Sequence, residues 1–156
     1  MSAAREIANL RSIPTNGNIL LDYTAGDALD GTGTCNIAAG LNALGAATSG
    51  DDNVAIGQLA LGAGVTTGAV NIAIGKNAAD ALTSGACNIA LGLNALGAAT
   101  NNVDNVAIGN EVQIPTTNGN CQLAIGAGVN RWVKGDQSFN VCLGNSNAIK
   151  AMATGT

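Results

Sequence analysis

The chain has 156 residues, of which 47% are hydrophobic, 2% aromatic and 10% charged, with a formal net charge of −4. So few aromatic residues argue against an ordinary globular core and leave an interior of Ala, Val, Ile and Leu, as suits a thin, elongated object. Six scattered Lys and Arg residues argue against a nucleic-acid surface, because phosphate contacts need clustered cations.

Residues 1–17 carry Arg5, Glu6 and Arg11 among the apolar Ile7, Leu10 and Ile13. That spacing predicts a short helix or arm ended by Pro14, either a cap on the following structure or the segment that attaches the protein to a larger particle. The opening stretch contains no apolar run of signal-peptide length, and no segment approaches the roughly 18 apolar residues of a membrane span. Synthesis in the cytoplasm without membrane insertion is therefore expected.

From residue 18 a pentapeptide, Asn-(Ile/Val)-Ala-x-Gly, takes over. It starts at Asn36, Asn53, Asn71, Asn88 and Asn105, with looser copies at Gln122 and Asn140 and a degenerate one at Asn18. Steps of 17 or 18 residues are too short for a helix pair or a propeller blade and predict one β-solenoid turn per repeat. The fold class is thus all-β, a parallel β-solenoid or β-roll of about 7–8 turns over residues 18–149, followed by a tail over 150–156.

Within each turn, strand alternation sends Val54 and Ile56 to one side and Ala55 to the other. The larger pair is expected to fill the roll. That leaves Ala38, Ala55, Ala73, Ala90, Ala107 and Ala124 as an outer column, apolar where a solvated strand would be polar, and predicts a subunit interface there, most simply in an intertwined homotrimer. A second short strand is predicted around Ala43-Leu44, Ala60-Leu61, Ala78-Ala79 and Ala95-Leu96, followed by a polar loop. The repeated Asn residues align into a ladder whose amides either bond along the axis or merely satisfy their own turns.

Cys35, Cys87 and Cys121 each precede a motif and fall in one column. Even the closer pair, two turns apart, is separated by about 9.6 Å at strand spacing, beyond the roughly 7 Å reach of a disulfide. Free thiols are expected. Near the other end lie Arg131, Trp132, Lys134 and Phe139, including the chain's single Trp and single Phe. These predict either a partner contact or a plug for the open coil end.

The pattern NxAxGxxAL with a Gly/Thr/Asn loop resembles the repeats of bacteriophage tail fibres and related virion proteins. It is also similar to the head repeats of trimeric autotransporter adhesins, which form a parallel β-roll in an intertwined trimer. The resemblance spans about residues 18 to 149. It implies a structural virion component, a tail fibre or spike or a capsid-decorating protein, located on the virion, with itself, other virion proteins and a host surface receptor as partners. The adhesin resemblance implies the alternative of a head that binds host glycan or protein at the bacterial surface.

An enzyme is not expected. The nearest class, left-handed β-helix acyltransferases, shares an 18-residue turn but relies on a His base, and this chain has no His. Asp52 and Asp104, three turns apart in one column, would be near 14 Å from each other at strand spacing, too far for a glycosidase pair. The cluster Asp22, Asp27 and Asp30 matches no calcium loop spacing, and zinc lacks a CxxC pair. Thr residues fall in irregular loops, against an ice-binding array. Neither a cofactor nor a metal is expected.

Overall fold

The computed structural model describes residues 16–29, 31–64 and 67–144, so the arm residues Arg5, Glu6, Ile7, Leu10 and Arg11 and the tail over 150–156 lie outside the described residues. It is all-β, with nine strands in one sheet in sequence order. Strands β1 (Ile19–Leu21), β2 (Ile37–Ala39), β3 (Val54–Ile56), β4 (Ile72–Ile74), β5 (Ile89–Leu91), β6 (Val106–Ile108) and β7 (Leu123–Ala127) stack parallel. Each aligns its central residue on the next, as in Ala55 on Ala73 and Ala73 on Ala90. Seven stacked strands enclose about six solenoid turns rather than the 7–8 expected from the motif count.

The QLAIG copy in β7 is the last to stack on the coil, and the NVCLG copy does not continue it. Strand β8 (Asn130–Gly135) runs antiparallel to β7 through a hairpin, and β9 (Val141–Leu143) runs antiparallel to β8. The NVCLG copy therefore pairs with β8 and not with the QLAIG copy. A register shift between Ile125 and Gly126 marks the departure, where a bulge adds twist and bends the strand.

The two strand faces are the reverse of the sequence expectation. Ala38, Ala55, Ala73, Ala90, Ala107 and Ala124 have no exposed surface and form the inner wall of the roll. The Ile, Val and Leu residues flanking them point outward, half-buried or exposed, with Ile56 and Ile74 at 40%, and so do Ile19 at 44% and Leu21 at 48% on either side of the buried Leu20. The cause is space. Three-residue strands closed by tight turns leave a lumen that an Ala column, a buried Asn column and one or two Leu per turn already fill. Two branched side chains per strand would not fit beside them. Parity carried this information: Asn at the first motif position and Ala at the third lie on the same side of a strand, so a buried Asn ladder requires buried Ala.

The predicted second strand is a turn. Ala43 and Leu44, Ala60 and Leu61, Ala78 and Ala79, and Ala95 and Leu96 are all buried, but Leu44, Leu61, Ala79 and Leu96 take φ of 49–56°. A left-handed residue of this kind costs about 1–2 kcal/mol. Bonds to the next turn offset it: Leu44 N–H donates to Ala60 O at 2.9 Å, Leu61 N–H to Ala78 O at 3.0 Å and Leu96 N–H to Val112 O at 2.9 Å. The backbone thus stays paired between coils without forming a strand.

At the corner after each strand sits a glycine of the motif. Gly40, Gly57, Gly75, Gly92 and Gly109 have φ between 123° and 132°. A Cβ on Gly75 would lie 2.5 Å from Gly92 O, so both the dihedral and the close stacking of corners demand glycine there.

Candidate functional site

The Asn column is the best-satisfied polar feature of the molecule. Asn53 Nδ2 donates to Asn36 Oδ1 at 3.1 Å and to Gly68 O at 3.0 Å. Its Oδ1 accepts from the backbone N–H of Asn71 at 2.9 Å and from Asn71 Nδ2 at 3.0 Å. Two donors and two acceptor positions are thereby used, the full capacity of a carboxamide. The pattern repeats from Asn18 through Asn36, Asn53, Asn71 and Asn88 to Asn105. Of the two alternatives left open by the sequence, axial bonding and local turn satisfaction, the side chains accomplish both: each amide also holds its own polar loop, through Gly50 O, Gly85 O or Asn102 O.

The ladder ends where the hairpin begins. Gln122 N–H still donates to Asn105 Oδ1 at 2.9 Å, but its side chain turns away to Thr116. Asn140, in the last copy, bonds instead to the Asp136 carboxylate, with Nδ2 at 3.1 Å from Oδ2. Those bonds, first that from the Asn140 side chain, hold the Asp136 carboxyl below its ordinary range. Asp80 moves the other way, since burial pushes its carboxyl up against the lowering effect of backbone bonds at Ala81 and Asp80.

The outward face is the second feature. Its two columns run through all nine strands by strand register. One holds Ile19, Ile37, Val54, Ile72, Ile89, Val106, Leu123, Gly135 and Val141, and the other runs parallel to it from Leu21 through Ile74 and Ile125 to Val133 and Leu143. Gly135 is the one position without an apolar side chain. The reversal of β8 and β9 therefore keeps this face apolar although it breaks the coil. The Ala residues assigned to a subunit contact cannot make one, because they are wholly inside their own chain. The outward Ile, Val and Leu residues stand in the place expected of them.

At the C-terminal end, Arg131, Trp132 and Lys134 lie on β8, and Phe139 in the loop before β9. Trp132 is 67% exposed and Phe139 84% exposed, so neither plugs the roll. Arg131 lines a cavity of about 520 Å³ with Asn110, Glu111, Gln113 and the hairpin residues Ala127 to Asn130. Its Nε is closed off from solvent without a hydrogen-bond partner. Sequence reasoning named Arg131 but not Asn110, Glu111 or Gln113, which come beside it only through the hairpin.

Cys35, Cys87 and Cys121 are exposed free thiols, and Cys142 is buried. Asp22 accepts from the N–H and hydroxyl of Thr24 and so caps its own turn; Asp30 lies outside the described residues. Among the described residues no group of three His, Cys, Asp or Glu could hold a metal ion, and no helix is long and apolar enough to cross a membrane. No family model matches the chain, and no curated protein or solved structure is significantly similar to it.

Proposed function

We propose that the protein is a structural component of a phage-like particle, a tail fibre or spike or a capsid-decorating protein, that acts by assembling with itself, most simply as a homotrimer. The observation that carries the assembly is the outward face of Ile, Val and Leu running through nine strands of a single chain. Contiguous apolar surface of this extent marks an interaction site, because exposed patches on monomers rarely exceed a few hundred Å². The face is only two side chains wide, about 7 Å by strand geometry. Three such ridges meeting on an axis contribute six side chains per layer and bury both columns together. The particle is supported by the resemblance of the NxAxGxxAL repeat alone.

Mass measurement in solution tests the assembly, with three times the chain mass expected; a stable monomer would sink it. Ile72→Asp, in the middle of the outward face, is expected to release monomers that keep their circular dichroism spectrum, since Ile72 contributes nothing to the lumen. Location of the subunit in particle images tests the placement. A second reading, a surface adhesin head, is favoured by the exposed Trp132, Phe139 and Leu143 at one end. Recovery of the protein on a bacterial surface rather than on a particle would decide for it.

A further inference from the structure

We propose that the outer edge of β9 pairs with the same edge of a second copy of this chain, antiparallel and about a two-fold axis at Cys142. The two ends of the nine-stranded sheet differ. At the β1 end Asn18 and Leu20 are buried, which closes that end to a partner. At the other end β9 has β8 as its one neighbour, and its residues Val141 and Leu143 are 38% and 71% exposed.

The hydrogen-bond phase fixes which backbone groups face out. Asp136 N–H donates to Asn140 O at 3.1 Å and Gly144 N–H to Trp132 O at 2.7 Å, and the register sets Cys142 opposite Lys134. Bonding in an antiparallel pair alternates residue by residue. Asn140, Cys142 and Gly144 therefore turn their backbone groups to β8, and those of Val141 and Leu143 point away from it. Two N–H and two C=O groups stand along a Val-Cys-Leu edge that carries neither charge nor proline, the usual guards against pairing.

One self-pairing register uses all four groups. It sets Val141 opposite Leu143 of the second copy, twice by symmetry, with four bonds between the chains and Cys142 on the axis. Such a contact is isologous and closes on itself. A three-residue edge buries far less than the roughly 800 Å² per partner of a stable interface, so one pair of edges makes a weak contact. Three pairs acting together make a strong one. The two-fold axis between antiparallel strands is normal to their sheet, and in the trimer proposed above the outward face of the sheet looks toward the three-fold axis. The axes therefore cross, and two trimers meet end to end through three edges at once. The strength of the contact rests on that trimer reading, but the pairing of the edges does not.

The test is mass measurement of the full chain by analytical ultracentrifugation over a range of concentrations. Three chains when dilute, rising to six when concentrated, is the expected result. One chain rising to two would keep the edge contact and remove the trimer. A mass of three chains, or of one, at every concentration would overturn the contact, and growth past a doubling into filaments would overturn it in favour of head-to-tail stacking. Leu143→Pro removes an N–H that β8 does not use, and Leu143→Lys charges the edge; each should hold the lower mass with an unchanged circular dichroism spectrum, and doubling in a folded variant contradicts the proposal. The register is read by disulfide trapping in a background of Cys35→Ser, Cys87→Ser, Cys121→Ser and Cys142→Ala. Val141→Cys and Leu143→Cys forms are mixed and oxidised with diamide, which takes up two electrons and two protons as two thiols become a disulfide. Facing Cα atoms about 5.5 Å apart lie within disulfide reach, so the mixture should cross-link and neither form alone should. Absence of the mixed cross-link where the mixture shows the doubled mass overturns the proposal.

Discussion

The regular coils between β2 and β6 and the antiparallel meander of β7 to β9 carry nearly the same pentapeptide and do opposite things with it. In the coils the motif Asn bonds up and down the stack and the motif Gly turns a left-handed corner. In the meander Gln122 and Asn140 bond locally, and Gly126 does not take the positive φ of its counterparts. Gly126 instead packs tightly against the backbone of Asn130 and Arg131, the returning strand of the hairpin. The coil therefore depends on the joint presence of an axial Asn, a corner Gly and a following buried turn. Where the turn is replaced by Gly128-Val129-Asn130, the chain reverses. The regular part presents a uniform apolar ridge, while the meander adds the exposed aromatics and the cavity.

The sharpest way to break the comparison is at the glycines. Gly75→Ala in the coil places a Cβ against Gly92 O at 2.5 Å with φ of 132° and is expected to cost more than about 3 kcal/mol. It should be read as a large drop in the denaturant midpoint, and wild-type stability would contradict the stacked-corner geometry. Asn71→Ala comes next. It strands the Gly85 carbonyl and the Asn88 N–H inside the roll and should cost about 2–4 kcal/mol; chemical denaturation measures this, and a loss under 1 kcal/mol would mean the ladder is dispensable.

Gly128→Ala in the hairpin sharpens the contrast, since φ is 53° and nothing lies within 4 Å of the added methyl. Only the left-handed backbone penalty applies, about 1 kcal/mol, so a melting curve close to wild type is expected beside the Gly75 variant. The smallest effect is acid sensitivity of the meander. The Asp136 carboxyl is held low in the folded chain, so its contribution is present above the unfolded carboxylate value and is lost as pH falls through the lower folded value. Amide protection around residues 136–140, taken relative to the intrinsic exchange rate at each pH, should fall at acid pH, and Asp136→Asn should abolish that dependence.

Much of the fold was legible because a 17-residue period leaves few solutions. The strands, their parallel register and the Asn ladder follow from the spacing and from the two-residue alternation of a strand. Side-chain size does not report which face lies inside: Ile and Val are the more hydrophobic residues, yet Asn and Ala share parity and the lumen of so short a turn is too narrow for branched pairs. The buried Leu of the turns was visible as Ala-Leu pairs, but its left-handed backbone was not, because Leu has no intrinsic preference for that region. Of the cavity, only Arg131 could be named in advance. Its companions Asn110, Glu111 and Gln113 lie about one turn earlier in the chain.

By itself the sequence determined a solenoid with a Gly corner and an Asn column in every regular turn, since repetition forces each element onto its copy. Only the tertiary structure decided which face is interior, where the coil stops and what its end brings together. Those outcomes depend on the space left inside a closed turn and on backbone reversal at Gly128, neither of which a residue's own hydrophobicity reports.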